Sequence, residues 1–193
     1  MRRRIESGIS VTQALTPCPS QALTPTPSSS HTGKAVLPFG FGLSYSTFTY
    51  TPVAGASSVS LDPVRAMLAQ TYADNRTFPS LHTLGVTEAV VSYNVNVTNT
   101  GTMDADDVVL GFLVPPGAGQ NGVPLQTLFG FERVHVKAGA TVSVNLYPSL
   151  TDLTHTLADG SMSAAVGEWT VRFGVRETAQ YGQGYAELSL VAY

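Results

Sequence analysis

The sequence is poor in the residues that build the most recognisable kinds of functional site. Of its 193 residues only one is a cysteine, Cys18, which excludes an internal disulfide and any multi-cysteine zinc centre. Charged residues make up 12% of the chain, and the formal net charge is −3. Nucleic-acid binding needs a basic surface, so this composition argues against such a partner. No apolar run approaches the roughly 18–20 residues of a membrane span, and no membrane partner is expected.

The N-terminal 33 residues differ in composition from the rest of the chain. Arg2 to Arg4 are similar to the charged start of a signal peptide, but polar residues interrupt the apolar stretch that should follow. Residues 12–30 read TQALTPCPSQALTPTPSSS, and twelve of these nineteen are Ser, Thr or Pro. Such a segment buries too little apolar area to offset its ordering entropy. We expect a disordered tail over 1–33 and no secretion signal; a real N-terminus and an incorrect gene start both remain open.

Helix patterns are rare, and the 18 glycines and 12 prolines favour turns. Residues 62–76 are the only helical candidate, because Asp62 suits an N-cap and Pro63 suits the first helical position. One face of this helix would carry four apolar or aromatic residues, namely Val64, Met67, Leu68 and Tyr72.

Residues 87–193 alternate between apolar and polar positions, with turn signals between short segments. The alternation is typical of half-buried strands, and many short strands indicate an antiparallel β-sandwich of roughly seven strands. We therefore predict an all-β fold. In the segment 108–114 we take Val108, Leu110, Phe112 and Val114 as the inward set. The predicted core residues are Val95, Val97, Leu110, Phe112, Val142, Val144, Trp169, Val171 and Phe173.

Residues 37–50, LPFGFGLSYSTFTY, form a stretch that we name the docking segment. It lies within residues 34–86, which we interpret as a linker before the sandwich. An ordinary loop leading into a first strand is the simpler interpretation. However, so many large apolar groups on a glycine-hinged stretch usually pack against something. The predicted docking side chains are Phe39, Phe41, Leu43, Tyr45 and Phe48.

Two motifs suggest ligand sites but favour plain loops. Gly117, Gly119 and Gly122 spell G-x-G-x-x-G, yet dinucleotide binding needs a helix to begin at that loop, and strand-like residues follow instead. We predict a hairpin loop and no cofactor. The acidic run at 104–107 offers oxygen ligands for a cation such as calcium, but it lacks the further ligands and the glycine of a calcium loop. A solvated turn is the better interpretation.

Catalytic and metal-ligating groups are not apparent from the spacing. His31, His82, His135 and His155 do not fall at metal-ligand spacing, and we expect His135 to point outward from a strand. Glycoside hydrolysis needs two facing carboxylates. Glu132 and Glu168 are on predicted strands but nothing singles them out, and an ion pair of Glu132 with Arg172 or Arg176 is favoured instead. The sequence thus identifies no catalytic, cofactor-binding or metal-binding residue.

Two triplets match the N-glycosylation sequon. They begin at Asn75 and Asn96. The second lies in the alternating segment 91–98, where Asn96 is predicted to face solvent.

Four segments together resemble glycoside hydrolase family 3 enzymes, in order and in spacing. The docking segment is similar to the signature that ends their α/β-sandwich domain. Residues 95–116, VNVTNTGTMDADDVVLGFLVPP, resemble their V-x-V-x-N-T-G stretch. Residues 124–146, PLQTLFGFERVHVKAGATVSVNL, resemble P-x-K-x-L-x-G-F-x-R-V-x-L-x-A-G, with Gln126 at the lysine position. Residues 167–175, GEWTVRFGV, resemble the closing G-x-Y-x-L-x-V-G.

The resemblance implies an immunoglobulin/fibronectin type III-like sandwich found at the C-terminus of these β-xylosidases and β-glucosidases. Residues 132–136, ERVHV, look closer to the β-xylosidase branch. In the family the nucleophilic Asp lies in an upstream barrel and the acid/base residue also lies upstream, so no catalytic residue is carried over to this sequence. The implied role is a non-catalytic accessory domain in xylan or other polysaccharide breakdown, extracellular, with the barrel and α/β-sandwich domains as partners in cis.

A different class of function stays open at this point. An independent secreted β-sandwich could bind polysaccharide or another protein, and such a module should present exposed aromatics. The candidates are Phe78, Tyr181 and Tyr185. A complete enzyme on this chain is a third interpretation and lacks a supported carboxylate pair.

Overall fold

The computed structural model describes residues 39–73, 91–157, 161–174 and 185–193, apart from the side chain of Ala54. The predicted tail over 1–33 and the sequon at Asn75 lie outside these residues. The described ranges contain one helix, α1 (Asp62–Ala73), and a single 3-10 turn (Leu150–Leu153). Their strands are β1 (Phe48–Gly55), β2 (Ser58–Val59), β3 (Tyr93–Asn99), β4 (Ala105–Val114), β5 (Thr127–Val136), β6 (Thr141–Leu146), β7 (Thr154–Thr156), β8 (Met162–Ala164), β9 (Gly167–Phe173) and β10 (Ala186–Ala192).

Two sheets face each other across one core, and this confirms the predicted all-β sandwich. The first sheet has the order β1-β3-β6 and the second the order β2-β10-β9-β4-β5, while β7 and β8 form a separate hairpin. The paired strands run antiparallel except for the short β2, which is parallel to β10. Strands β1 and β2 precede residue 87, so both sheets also draw on the 34–86 segment.

The parallel pair ties an early part of the chain to a late one. Leu61 N donates to Tyr193 O at 2.7 Å, and Tyr193 N donates in turn to Val59 O at 3.1 Å. These bonds extend the β2–β10 pairing beyond the two residues of β2 and cover that edge of the five-stranded sheet.

Alternation along the strands places one apolar row from each sheet in the interior. Along β3, Tyr93, Val95 and Val97 are fully buried, and their neighbours Asn94 and Asn96 are partly exposed. Six of the predicted core residues lie in this interior, and Val142 packs against it half-buried. The six are Val95, Val97, Val144, Trp169, Val171 and Phe173.

Close aromatic packing centres on Tyr93. Its ring centroid lies 5.9 Å from that of Phe173 and 6.5 Å from that of Phe129. Gly111 makes room for this packing, since a Cβ there would lie 2.6 Å from the Phe129 ring. The β4–β5 register shifts next to Gly111, which brings Phe129 into the core.

Strand β4 differs from its predicted orientation. Val109 and Leu113 belong to the sandwich interior, so the alternating residues Leu110 and Phe112 face the outer side of the sheet. Both are still buried, whereas Val108 is largely exposed. The inward set predicted from Val108 to Val114 was therefore wrong by one residue, because a strand buried on both faces gives no alternation to follow.

Helix α1 covers the interior largely with the predicted face, since Met67 also packs against the core, but Thr71 is buried instead of Tyr72. Val64, Leu68 and Thr71 are buried, and the hydroxyl of Thr71 donates to the Met67 carbonyl at 2.9 Å. Tyr72 is largely exposed; its hydroxyl accepts from Met162 N at 2.7 Å and so links the helix to β8. No helix among the described residues is long and apolar enough to cross a membrane.

We predict that Trp169→Ala destabilises the fold by about 3–5 kcal/mol, because it removes the largest fully buried side chain and leaves a cavity. Urea unfolding followed by circular dichroism measures the loss. Thr170→Ala, one residue along the strand on the outer face, is the matched control and should cost less than about 1 kcal/mol. Equal losses in the two variants would contradict the assigned faces of β9.

We also predict that acid weakens the fold through His155. This side chain is 8% exposed, its Nδ1 has no hydrogen-bond partner among the described residues, and burial lowers its pKa. The unfolded chain therefore takes up the proton first, so stability falls as the pH drops through about 6.5, the ordinary histidine value. Unfolding midpoints between pH 8 and pH 5 should fall less in His155→Gln than in the parent or in His135→Gln. A parent-like slope in His155→Gln would refute this assignment.

Candidate docking surface

The docking segment is fixed at its C-terminal side to the turn between β3 and β4. Ser46 Oγ donates to the Met103 carbonyl at 2.7 Å, and Thr100 N donates to the Thr47 carbonyl at 2.8 Å. Gly101 permits this approach, since a Cβ at that position would lie 2.5 Å from Ser46 Oγ. The backbone path at residues 46–47 is thus set by contacts with Thr100, Gly101 and Met103.

The other described end of the segment packs on the outer face of the five-stranded sheet. Phe39 meets Phe112 edge-on, with ring centroids 6.2 Å apart. Phe112 also meets Tyr185 edge-on at 6.0 Å. The segment therefore extends from the C-terminal part of β4, at Phe112, back toward the turn that precedes β4.

The five predicted docking side chains separate into exposed and packed groups. Leu43 is 82% exposed and Tyr45 is 93% exposed, and Phe39 is also exposed despite its contact with Phe112. Phe41 is half-buried and makes contacts of its own. The structure places Phe48 in the interior as the first residue of β1, opposite Asn99, so it is a core residue and not a docking group.

A half-buried hydrogen bond joins the two sheets at Tyr50, the last residue of the docking segment. The Tyr50 hydroxyl on β1 donates to Asp107 Oδ2 on β4 at 2.7 Å. Burial raises the pKa of Tyr50, and the neighbouring Asp107 charge raises it further. The phenol therefore stays protonated and keeps donating throughout the neutral range. The ring lies so close to Gly174 that a Cβ there would meet it at 2.8 Å.

A polar cluster surrounds Tyr185 on the same outer face. Gln126, which stands at the family's lysine position, is 2% exposed and donates from Nε2 to the Tyr185 hydroxyl at 3.2 Å. The Arg172 guanidinium lies 5.2 Å from the Tyr185 ring centroid. Arg172 Nε also donates to Glu187 Oε1 at 2.7 Å. Arg172 thus occupies one face of the ring that the binding-module interpretation requires to be open, while Phe78 and Tyr181 lie outside the described residues.

Sequence reasoning missed this outer-face cluster. The signal that could have found it is the unbroken apolar run VVLGFLV at 108–114, since a run without alternation indicates a strand covered on both faces. Across β4, Phe112 pairs in register with Arg172 of β9 and Leu128 of β5. Their side chains share the outer face, which places a cation beside the aromatic rings.

The structure separates the candidate carboxylates. Glu132 lies opposite Val109 of β4, whereas Glu168 lies two residues beyond the partner of Val114. The two are seven residues apart along the strand direction, about 23 Å, and they alternate onto opposite faces. The predicted ion pair of Glu132 with Arg172 was wrong, because Arg172 pairs with Glu187; Arg176 lies outside the described residues.

The acidic run at 104–107 does not converge on one point. Asp104 accepts from Ala138 N at 2.8 Å, while Asp107 holds Tyr50. Asp106 accepts from Arg133 at 2.6 Å and from His135 at 2.7 Å, and these two bonds, His135 first, lower its pKa. His135 is exposed on the outer face, as predicted. Among the described residues no group of three metal-ligating side chains comes together.

The G-x-G-x-x-G stretch forms a loop between β4 and β5 that is held by hydrogen bonds within the loop itself. Gly117, Gly119, Asn121 and Gly122 have positive φ angles, and the backbone bonds of the loop stay within residues 115–123. The strand β5 follows instead of a helix, as the hairpin interpretation predicted.

Comparison with known proteins places this fold among glycosidases. No family model matches the chain. A probable exo-1,4-β-xylosidase of Aspergillus fumigatus is 34% identical over 153 residues, which are 75% of this chain and 18% of that protein. β-D-xylosidase 1 of Arabidopsis thaliana is 36% identical over 121 residues, 60% of this chain and 16% of that protein.

A solved structure of a glycosidase has a similar fold. The glycoside hydrolase family 3 β-glucosidase of Bifidobacterium adolescentis superposes with a TM-score of 0.53 at 24% sequence identity, covering 82% of this chain and 19% of that one. The chain thus spans under a fifth of the length of each of these relatives. Its sequence and fold together make it a member of glycoside hydrolase family 3 that matches one region of those enzymes.

Proposed function

We propose that this chain is the fibronectin type III-like accessory domain of a β-xylosidase-like enzyme of family 3, acting outside the cell in polysaccharide breakdown. It contributes no catalytic residue and docks against the barrel and α/β-sandwich domains that carry the chemistry. The observation that carries the proposal is the exposure of Leu43 and Tyr45 on a segment whose backbone is fixed at both described ends.

The strand order supports the fibronectin type III-like assignment. A three-stranded sheet β1-β3-β6 faces a sheet in which β10, β9, β4 and β5 are neighbours. The chain therefore crosses between the layers from β3 to β4 and from β5 to β6, while β4–β5 and β9–β10 each stay within one sheet, as in Greek-key sandwiches of the immunoglobulin and fibronectin type. The assignment also fits the match of the chain to a small share of each relative.

The distribution of carboxylates supports a non-catalytic role. A retaining glycosidase needs two carboxyl groups about 5–5.5 Å apart. Glu132 and Glu168 are far apart and on opposite faces, and Asp106 and Asp107 project to opposite sides of β4. Each of these two aspartates is engaged by partners of its own.

The exposed side chains favour docking over a free loop. Burying a leucine or an aromatic side chain is worth about 1.5–3 kcal/mol, and this gain is open to Leu43 and Tyr45. Because Ser46 and Phe39 already hold the backbone, docking would cost little further ordering entropy. The segment therefore fits a preformed contact with an apolar surface of the catalytic domains.

The purified chain should not hydrolyse a nitrophenyl xyloside. It should bind the barrel and α/β-sandwich part of the A. fumigatus relative, produced without the region that matches this chain. Leu43→Ser with Tyr45→Ser should weaken this binding about tenfold or more, measured by titration calorimetry, because the apolar contact is lost. Val166→Ser, which alters another exposed apolar residue, is the control. Turnover abolished by one carboxylate substitution would refute the non-catalytic role. Unchanged binding in the double variant would refute docking through Leu43 and Tyr45. Xylan binding by the chain, together with no binding to the catalytic part, would favour an independent module.

A second variant tests whether the anchor at Ser46 matters for docking. Gly101→Ala places a Cβ 2.5 Å from Ser46 Oγ and should displace the segment while leaving Leu43 and Tyr45 intact. We expect weaker binding to the catalytic part and faster chymotryptic cleavage at Tyr45. Gly42→Ala, where a Cβ meets nothing within 4 Å, should behave like the parent. Equal cleavage rates in the two variants would show that this anchor does not hold the segment.

A further inference from the structure

The sequon at Asn96 lies on the outer face of the three-stranded sheet. Asn96 and Thr98 alternate with the fully buried Val95 and Val97 along β3. Both sequon side chains therefore point away from the core on the same side of the strand. Asn96 is partly exposed although β3 is the central strand.

The oxygen and the nitrogen of the Asn96 side-chain amide differ in their hydrogen bonding. Its Oδ1 accepts from Ser143 Oγ of the neighbouring strand at 2.5 Å. Its Nδ2 donates to no protein group among the described residues, whereas Nδ2 of Asn94 donates to Asn145 at 2.9 Å. The nitrogen that carries an N-linked sugar is thus the free end of the side chain, and the oxygen that a glycosylated asparagine retains is the end that the sheet holds.

The chemistry of the surrounding face suits a covering sugar. The outward residues of β1, β3 and β6 include no charged side chain, and none of them is buried. They are Thr49, Thr51, Val53, Asn94, Asn96, Thr98, Thr141, Ser143 and Asn145. Hydroxyl and amide groups pair across it, for example Thr98 with Thr141 at 2.8 Å. The opposite outer face of the sandwich differs, because it carries the Asp106–Arg133 and Arg172–Glu187 ion pairs.

We propose that Asn96 is an N-glycosylation site and that its glycan covers this uncharged face. In the transfer, Nδ2 attacks C1 of an oligosaccharide carried on a polyprenyl diphosphate. The C1–N bond forms as the bond from C1 to the diphosphate oxygen breaks, Nδ2 gives up one proton, and polyprenyl diphosphate leaves. The proposal rests on the extracellular placement proposed above but not on docking, which is assigned to Leu43 and Tyr45.

A secretory host provides the test. The full 193-residue chain, given a secretion leader, is expressed in yeast, and the protein is collected from both medium and cells. Peptide-N-glycosidase in heavy-oxygen water converts each glycosylated asparagine to labelled aspartate, which mass spectrometry locates. We expect label at Asn96 in the parent protein and in Asn75→Gln, which removes the other sequon.

Variants then separate the sequon from the fold. Thr98→Ala and Asn96→Gln should abolish the label at this position, whereas Thr98→Ser, which keeps the hydroxyl, should retain it. An unlabelled Asn96 peptide from the parent protein in both medium and cells would overturn the proposal, and this readout needs no variant to fold. Failure here would leave the docking result unaffected, because the docking test changes Leu43 and Tyr45 and depends on no glycan.

Discussion

Burial of β4 on both of its faces determines where the other parts of the domain lie. Toward the interior, Val109 and Leu113 join the core, and Gly111 leaves the space that Phe129 fills. Toward the outside, Leu110 and Phe112 are covered as well. A strand with two apolar faces must recruit a second layer, and here the recruited groups include Phe39 and Tyr185. The docking segment is therefore held to the sandwich by the same strand that organises the core.

Hydrogen bonds add to the apolar packing in holding the docking segment in place. The Tyr50–Asp107 hydrogen bond connects the sheets at the point where the docking segment enters β1. Ser46 and Gly101 then fix the turn just ahead of it. These contacts are buried or half-buried, so water competes with them less than it does with the exposed Asp106 pairs. The orientation of Leu43 and Tyr45 follows from that local rigidity.

The sequence predicted the fold well where alternation was clear and poorly where it was absent. The apolar residues of β3, beginning with Val95, and those of β9, beginning with Trp169, were placed on the correct face because the polar residues between them marked the other face. In 108–114 every position but one is apolar, so the pattern could not distinguish the faces. Tyr72 was predicted on the buried face of the helix, but Thr71 lies there instead. Thr71 can be buried because its hydroxyl donates to a carbonyl of the preceding turn. Gln126 and Arg172 could not be paired from sequence, because their contact depends on the register of strands far apart in the chain.

The parallel pairing of β2 with β10 has a consequence for how the domain is made. Leu61 N donates to the Tyr193 carbonyl, and Tyr193 N donates to the Val59 carbonyl, across most of the length of the chain. Contacts of such long sequence separation form slowly, because a large loop must close first. During synthesis, β2 cannot pair until β10 has been made. The docking segment, which lies just upstream, is then exposed while its sheet is still open. Apolar surface that stays exposed in this way before pairing is the kind that makes folding intermediates prone to aggregation.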